Sequence, residues 1–309
     1  MKIIFFGTPH FVVPILSRLH KEYNQGREKN LVAVVTQPPK PVGREKKVEY
    51  SAVDTFAHKH NIEICHGTDD LPQADLGICA AYGEIIPDEV IKLFRYGILN
   101  IHPSILPKFR GASPIQSQIV TGVTNTGVTV INMDSEMDHG AIVSVFRDEI
   151  TPEDTQETLR DRLFEKTAEA LLALIPPYLA GKITVKEQNE DDATYTKTIK
   201  REDGFIPGTI IEALLDGKQV TEPFSLRFIP GFETIPTASF VANMVRGLAN
   251  WPGTYTEIKF KEDAGYSKRL KILAAHAEND TLVLDTVQLE GKNPVTYTQF
   301  CDGYKGFTF

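Results

Sequence analysis

The feature that most restricts this chain is an alternation. Short runs rich in apolar and β-branched residues, KIIFF from residue 2, LVAVV from 31, IEIC from 62, LGICA from 76 and GILNI from 97, are separated by helix-period segments, HFVVPILSRLHKEY, SAVDTFAHKH and PDEVIKLF. GVTVINM and AIVSVF continue the strand series. Strand followed by helix, repeated, predicts an α/β fold with a doubly wound parallel sheet of Rossmann type. Strands that are apolar almost throughout suit a sheet covered on both faces, and ligands of such sheets gather beyond the carboxyl ends of the strands.

TPEDTQETLRDRLFEKTAEALLALIPPYLAG then opens with a capping pattern and carries Leu159, Leu163, Leu171 and Leu174 on roughly one stripe, predicting a long helix that stops at Pro176, Pro177 and Gly181. The polar stretch KEQNEDDATYTKTIKREDG reads as a linker. Beyond it GTYTEIKF, RLKILAAHA and DTLVLDTVQL alternate with turns, as in a small antiparallel barrel of OB-like type. The expected division is therefore a first domain over 1–185, a linker over 186–204 and a C-terminal barrel over 205–309. A chain of 309 residues, 41% hydrophobic and 24% charged, has material for two cores.

Composition also narrows function. The opening MKIIFFGTPHF reaches glycine and proline after a very short apolar run, and no later stretch resembles a membrane span, so a cytoplasmic location is expected. Cys65, Cys79 and Cys301 are widely spaced and lack a CxxC partner, which predicts buried thiols rather than disulfides or structural zinc. The histidines fit no zinc-ligand spacing, so no metal is expected. A net charge of −8 argues against coating nucleic acid indiscriminately while leaving room for a local basic patch. No nucleophile elbow is present, and FFGTPHF has one glycine where a dinucleotide site wants three.

The chemistry concentrates in residues 100 to 140. Asn100 and His102 stand two apart at the end of a strand candidate, so they point to one side, followed by Pro103 and Pro107, which stiffen the next turn. An amide donor can hold an oxygen that becomes negative, and an imidazole can move a proton between incoming and departing groups, a pairing suited to acyl transfer. Asp138, in a turn before Gly140, supplies a carboxylate. On spacing alone, a turn-forming asparagine and a satisfied polar histidine explain the pair as well.

At this point the sequence resembles the methionyl-tRNA formyltransferase family. FFGTPHF at 5, VTQPPKPVGREKK at 35, AAYGEIIP at 80, LNIHPSILPKFRGASPI at 99, GVTVINMDSEMDHG at 127, TYTKTIKREDG at 194, WPGTY at 251 and VQLEGKNPVTYTQFCDGY at 287 carry the likeness. The central motif belongs to folate-dependent formyl transfer in general, and the first, second and last stretches point to the tRNA enzymes. The resemblance implies a formyltransferase domain with an OB-like barrel, 10-formyltetrahydrofolate as donor and methionyl initiator tRNA as acceptor. It implies catalytic roles for Asn100, His102 and Asp138, and folate contacts at Ser104, Ile105, Leu106 and Pro107 and at Tyr82, Gly83 and Ile85. It also turns the cationic loop with Arg44, Lys46 and Lys47, otherwise an ordinary solvated charge run, into a tRNA contact. A monomer suffices for this reading. The alternative acceptor is an amino-sugar nucleotide.

Two departures from the family pattern stand out. The segment after KREDG is longer by roughly twenty residues on ordinary loop lengths. His139 follows Asp138 where the family has a small residue, placing an imidazole beside the carboxylate.

Overall fold

Ile3, Ile4, Phe5 and Phe6 are all completely buried, as a strand covered on both faces requires. In the computed structural model of the chain, which describes residues 1–42, 47–260 and 266–309, they form the central strand β1 (Ile3–Gly7). In chain order there follow α1 (Val13–Tyr23), β2 (Leu31–Val35), β3 (Lys40–Val42), β4 (Lys47–Glu49), α2 (Ala52–His60), β5 (Glu63–Cys65), β6 (Leu76–Ala80), α3 (Asp88–Ile91) and β7 (Ile98–His102). Next come β8 (Arg110–Gly111), α4 (Pro114–Val120), β9 (Asn125–Asn132), β10 (Ala141–Glu149), α5 (Gln156–Leu179) and β11 (Tyr195–Thr196). Local chemistry sets several boundaries. The Ser51 hydroxyl accepts from the Asp54 amide to cap the start of α2, and Asn61 ends that helix in the left-handed region at φ 52°.

Proximity in space separates two compact units, each built from three stretches of the chain. The first comprises Met1–Arg110, Thr126–Glu149 and Arg160–Ala193; the second comprises Gly111–Asn125, Ile150–Leu159 and Thr194–Phe309. The first unit holds a seven-stranded sheet in the order β10-β9-β7-β6-β1-β2-β5. β5, β2, β1, β6 and β7 are parallel neighbours, as the strand–helix alternation predicts. β9 instead runs antiparallel to β7, with Asn100 opposite Ile131 and His102 opposite Thr129. A parallel return needs a crossover laid on the sheet, whereas α4, the helix after β7, contributes Val120 to the core of the second unit. One face of the sheet is sealed by Ile4, Phe6, Val35, Tyr82, Phe94 and Ile98.

Leu159, Leu163, Leu171 and Leu174 are buried along α5 as expected. The helix does not stop at the prolines but runs through them to Leu179. A proline deletes its own donor, and near the end of a helix this leaves later turns intact: the Ala180 amide still donates to the Pro176 carbonyl at 3.1 Å and that of Lys182 to Pro177 at 3.0 Å. Over 186–204, read as a linker, the backbone pairs Lys186 with Ile142 and makes 3-10 turns at Glu190–Asp192 and Arg201–Gly204.

In the second unit the long segment after residue 205 forms α6 (Gly208–Leu215), a short pair β12 (Phe224–Ser225) and β13 (Glu233–Thr234), and the start of α7 (Ala238–Gly247). A five-stranded antiparallel sheet then follows from β14 (Thr254–Phe260), β15 (Ser267–Glu278), β16 (Thr281–Leu289), β17 (Val295–Thr296) and, after α8 (Tyr297–Gly303), β18 (Phe307–Thr308). Its order is β17-β16-β15-β14-β18, a small C-terminal β domain whose three long strands fall on the three predicted ones. Phe228, Val241, Met244, Ile258, Leu270, Val287 and Phe300 form its core.

Candidate active site

The sheet delivers two loops side by side, because β6 and β7 are adjacent and parallel and both end on the same edge. From β7 the chain enters residues 103–109. The Ser104 hydroxyl donates to the Lys108 carbonyl at 2.6 Å, and the Thr129 hydroxyl donates to the Ser104 carbonyl at 2.7 Å while accepting from the Leu106 amide at 3.1 Å. Neighbouring β9 thus pins the loop from beneath. From β6 the chain enters residues 81–86, where Tyr82 is buried, Gly83 is exposed at φ 84° and Ile85 is 87% exposed. The Gly83 carbonyl accepts from the Gln37 amide at 3.2 Å. Burial, followed by the nearby Glu84 carboxylate, pushes the Tyr82 phenol up to about 12. Among the segments expected to meet folate, then, Ser104 and Leu106 are spent on holding the loop, and Gly83 and Ile85 present open surface.

Asn100, His102 and Asp138 come together. Asp138 arrives from the turn between β9 and β10 with its backbone in the left-handed region at φ 53°. The Asn100 amide donates to Asp138 Oδ1 at 3.2 Å, and the same oxygen lies 3.4 Å from His102 Nδ1. Gly140 permits the turn, since a Cβ added there would drive into the Asn132 carbonyl oxygen.

The hydrogen bonds also determine how the imidazole carries its protons. His102 Nε2 lies 3.0 Å from the Phe109 carbonyl, which can only accept, so Nε2 must hold a hydrogen. A neutral ring would then aim the Nδ1 lone pair at the Asp138 carboxylate, a repulsion removed by a second proton. Burial pushes the His102 pKa down, but the Asp138 charge and hydrogen bond together with the Phe109 carbonyl outweigh it, Arg110 opposing, and the net direction is upward. The 5% exposed ring is therefore biased toward imidazolium, with Nδ1–H on the Asp138 side.

Other predicted residues fall differently. His139 turns away from the Asp138 carboxylate, placing Nδ1 2.6 Å from Asp134 and Nε2 3.5 Å from Glu190, and the hydrogen bond to Asp134 raises its pKa. Cys79 is buried beside Asn100 in the β6–β7 register, and burial raises its thiol to about 12, so it stays protonated. Cys65 and Cys301 are half-buried rather than buried, and all three thiols are free. Arg44 and Lys46 lie outside the described residues, and of Lys47 the structure describes the backbone at the start of β4.

Three residues that the motifs did not single out line this region. The Gln188 amide contacts the Asp138 turn, and the guanidinium of Arg110, 1% exposed, reaches both Gln188 and Glu190. Arg110 was detectable in principle as a cation inside LNIHPSILPKFRG, eight residues after His102; Gln188 and Glu190 lie in a polar stretch that reads as a linker.

The first part of the chain, residues 1–175, matches the family model described as Formyl transferase. A methionyl-tRNA formyltransferase of Fusobacterium nucleatum is 36% identical over 248 residues, covering 77% of this chain and 75% of the relative. One of Enterococcus faecalis is 32% identical over 330 residues, covering 98% of this chain and 96% of the relative. The chain belongs to the methionyl-tRNA formyltransferase family. The fold agrees: a solved methionyl-tRNA formyltransferase from Clostridium thermocellum superposes with a TM-score of 0.55 at 19% identity, covering 94% of this chain and 98% of that one. An N-formyltransferase from Helicobacter canadensis, solved with folinic acid and dTDP-3-aminofucose, gives 0.61 at 14% identity over 96% of this chain and 98% of that one. A methionyl-tRNA formyltransferase and a formyltransferase solved with a sugar nucleotide thus share this architecture.

Proposed function

We propose that the chain transfers the formyl group of 10-formyltetrahydrofolate to the α-amino group of methionyl initiator tRNA, in the cytoplasm and as a monomer. The observation that carries this reading is the convergence of Asn100, His102 and Asp138 at the carboxyl end of β7 in a chain of this family. The two loops suit a flat, partly apolar donor. Ile85 offers uncovered apolar surface after β6, and the 104–107 backbone after β7 is held rigid by Thr129.

In the reaction a bond forms between the amino nitrogen and the formyl carbon, the bond from that carbon to folate N10 breaks, and one proton passes from the amine to N10. Asn100 uses one amide hydrogen on Asp138 and has a second to donate to the formyl oxygen as it becomes negative. Protonated His102 adds positive charge beside that oxygen, its ring fixed by Phe109. Asp138 keeps His102 charged and helps move the proton toward N10. An ordinary α-amine has a pKa of about 8 and needs deprotonation and alignment more than strong activation.

For the acceptor, the proposed contact is the cationic run that includes Arg44, Lys46 and Lys47. Arg201, Arg269 and Lys271 also line a cavity of about 210 Å³ in the second unit, cationic despite the acidic whole, where a phosphate backbone would be neutralised.

The test supplies 10-formyltetrahydrofolate with methionyl initiator tRNA, with an amino-sugar nucleotide, or with neither, and follows tetrahydrofolate release. Turnover with the tRNA alone is expected. Preference for the sugar nucleotide would transfer the assignment to the alternative acceptor, and equal release in all three arms would make the chain a hydrolase.

A further inference from the structure

One side chain contacts three consecutive carbonyls of the turn that carries Asp138. Gln188 Nε2 lies 2.8 Å from the carbonyl oxygen of Asp138 and 2.9 Å from those of His139 and Gly140. An amide nitrogen has two hydrogens, so one is shared between two acceptors. Arginine fixes the direction of this amide. Arg110 offers donors only, and its Nε and Nη2 lie 3.1 and 2.8 Å from Gln188 Oε1, which obliges Nε2 to face the turn. Arg110 is itself held by both oxygens of Glu190, at 2.9 and 2.6 Å. Asn189, between Gln188 and Glu190, is extended and leads into the 3-10 turn that Glu190 opens, and Lys186 ties this stretch to β10 through paired bonds with Ile142 of 2.7 and 2.9 Å.

These bonds close a ring. His102 donates to the Phe109 carbonyl, and Phe109 is bonded covalently to Arg110. Arg110 donates to Gln188, Gln188 donates to the Asp138 carbonyl, and the Asp138 carboxylate returns to His102. Slackening at Gln188 would move Asp138 relative to the imidazole, because the Gln188 amide holds the main chain at Asp138 itself and at the two residues after it.

From this circuit we infer that Gln188 is a positioning residue for formyl transfer, setting the His102–Asp138 separation through the main chain of the turn rather than by touching a substrate. The inference rests on the reaction proposed above, but its geometric content can be read without turnover.

The experiment replaces Gln188 in the full chain by methionine, which keeps the length and loses every hydrogen bond of the amide, and by asparagine, which keeps the amide but withdraws it by about 1.5 Å, one carbon–carbon bond. In each variant the His102 ring is titrated by NMR, its signal assigned by its absence in His102→Gln, and steady-state constants are measured. Both variants should lower kcat about tenfold to a hundredfold with the folate KM within about twofold, as expected for misplacement of a reacting group by an ångström or less. The His102 midpoint should fall by about one unit as the carboxylate withdraws. A His102 midpoint unmoved in both variants overturns the inference whatever the turnover, as does wild-type kcat in both. Absence of formyl transfer by the wild-type chain would instead count against the proposed reaction, while the titration would still report on Gln188.

Discussion

Replacing Asp138 by asparagine isolates the charge in the site from its shape. Asparagine tolerates the left-handed backbone that Asp138 adopts at φ 53°, and its side-chain oxygen can still accept from Asn100, so the turn should survive. What disappears is a negative charge 3.4 Å from His102 Nδ1. At an effective dielectric constant near 20, opposite unit charges at that distance attract by about 5 kcal/mol, and part of this offsets the cost of burying the ring. A neighbouring carboxylate commonly displaces a titration by about 1 to 3 units, so His102 should fall once burial and Arg110 are opposed only by the Phe109 carbonyl. The sign for stability follows. His102 binds its proton more tightly folded than unfolded, so the stabilisation is complete below the unfolded value near 6.5 and disappears as pH rises through the raised folded value. Wild type and Asp138→Asn should therefore differ more in unfolding free energy near pH 6 than at pH 9. Turnover should drop by about a hundredfold or more, the range for losing general acid–base function. NMR titration of the ring, denaturant unfolding at the two pH values and steady-state kinetics measure these quantities. A His102 midpoint unchanged in the variant would refute the electrostatic reasoning even if activity were lost.

Alanine at Asn100 or at His102 should each reduce turnover about a hundredfold or more with the folded state retained, the loss typical of one oxyanion donor or proton carrier; near-normal kcat in both would remove the assignment. Neutralising Arg44 together with Lys46 should raise the KM for tRNA and flatten its dependence on salt while leaving folate KM unchanged, measured by kinetics at several ionic strengths. Gly140→Ala should lower the melting temperature and turnover together, because the new methyl meets the Asn132 carbonyl, which belongs to a sheet strand with little room to yield.

How much was legible depends on whether the information is local. Periodicity placed β1, β2, β6 and β7 because a strand buried on both faces must be apolar along its length, and Ile3 through Phe6 are. Spacing alone put Asn100 and His102 on one side of a strand, and the D-x-G turn with Gly140 was readable from the residue types that tight turns tolerate. Tertiary structure decided the rest. The antiparallel course of β9 depends on where α4 packs, which strand–helix order does not encode. The survival of α5 past Pro176 depends on the hydrogen bonds left to its last turn. The charge bias of His102 arises from Asp138 and Phe109, 36 and 7 residues away, acting on a ring removed from water. Gln188, lying in a stretch that looks like solvated connector, acquires its place through Arg110 and three carbonyls some fifty residues earlier. Residue type and spacing can state which chemistry a chain has available; distances between groups far apart in sequence, and the solvent excluded from between them, are created by folding.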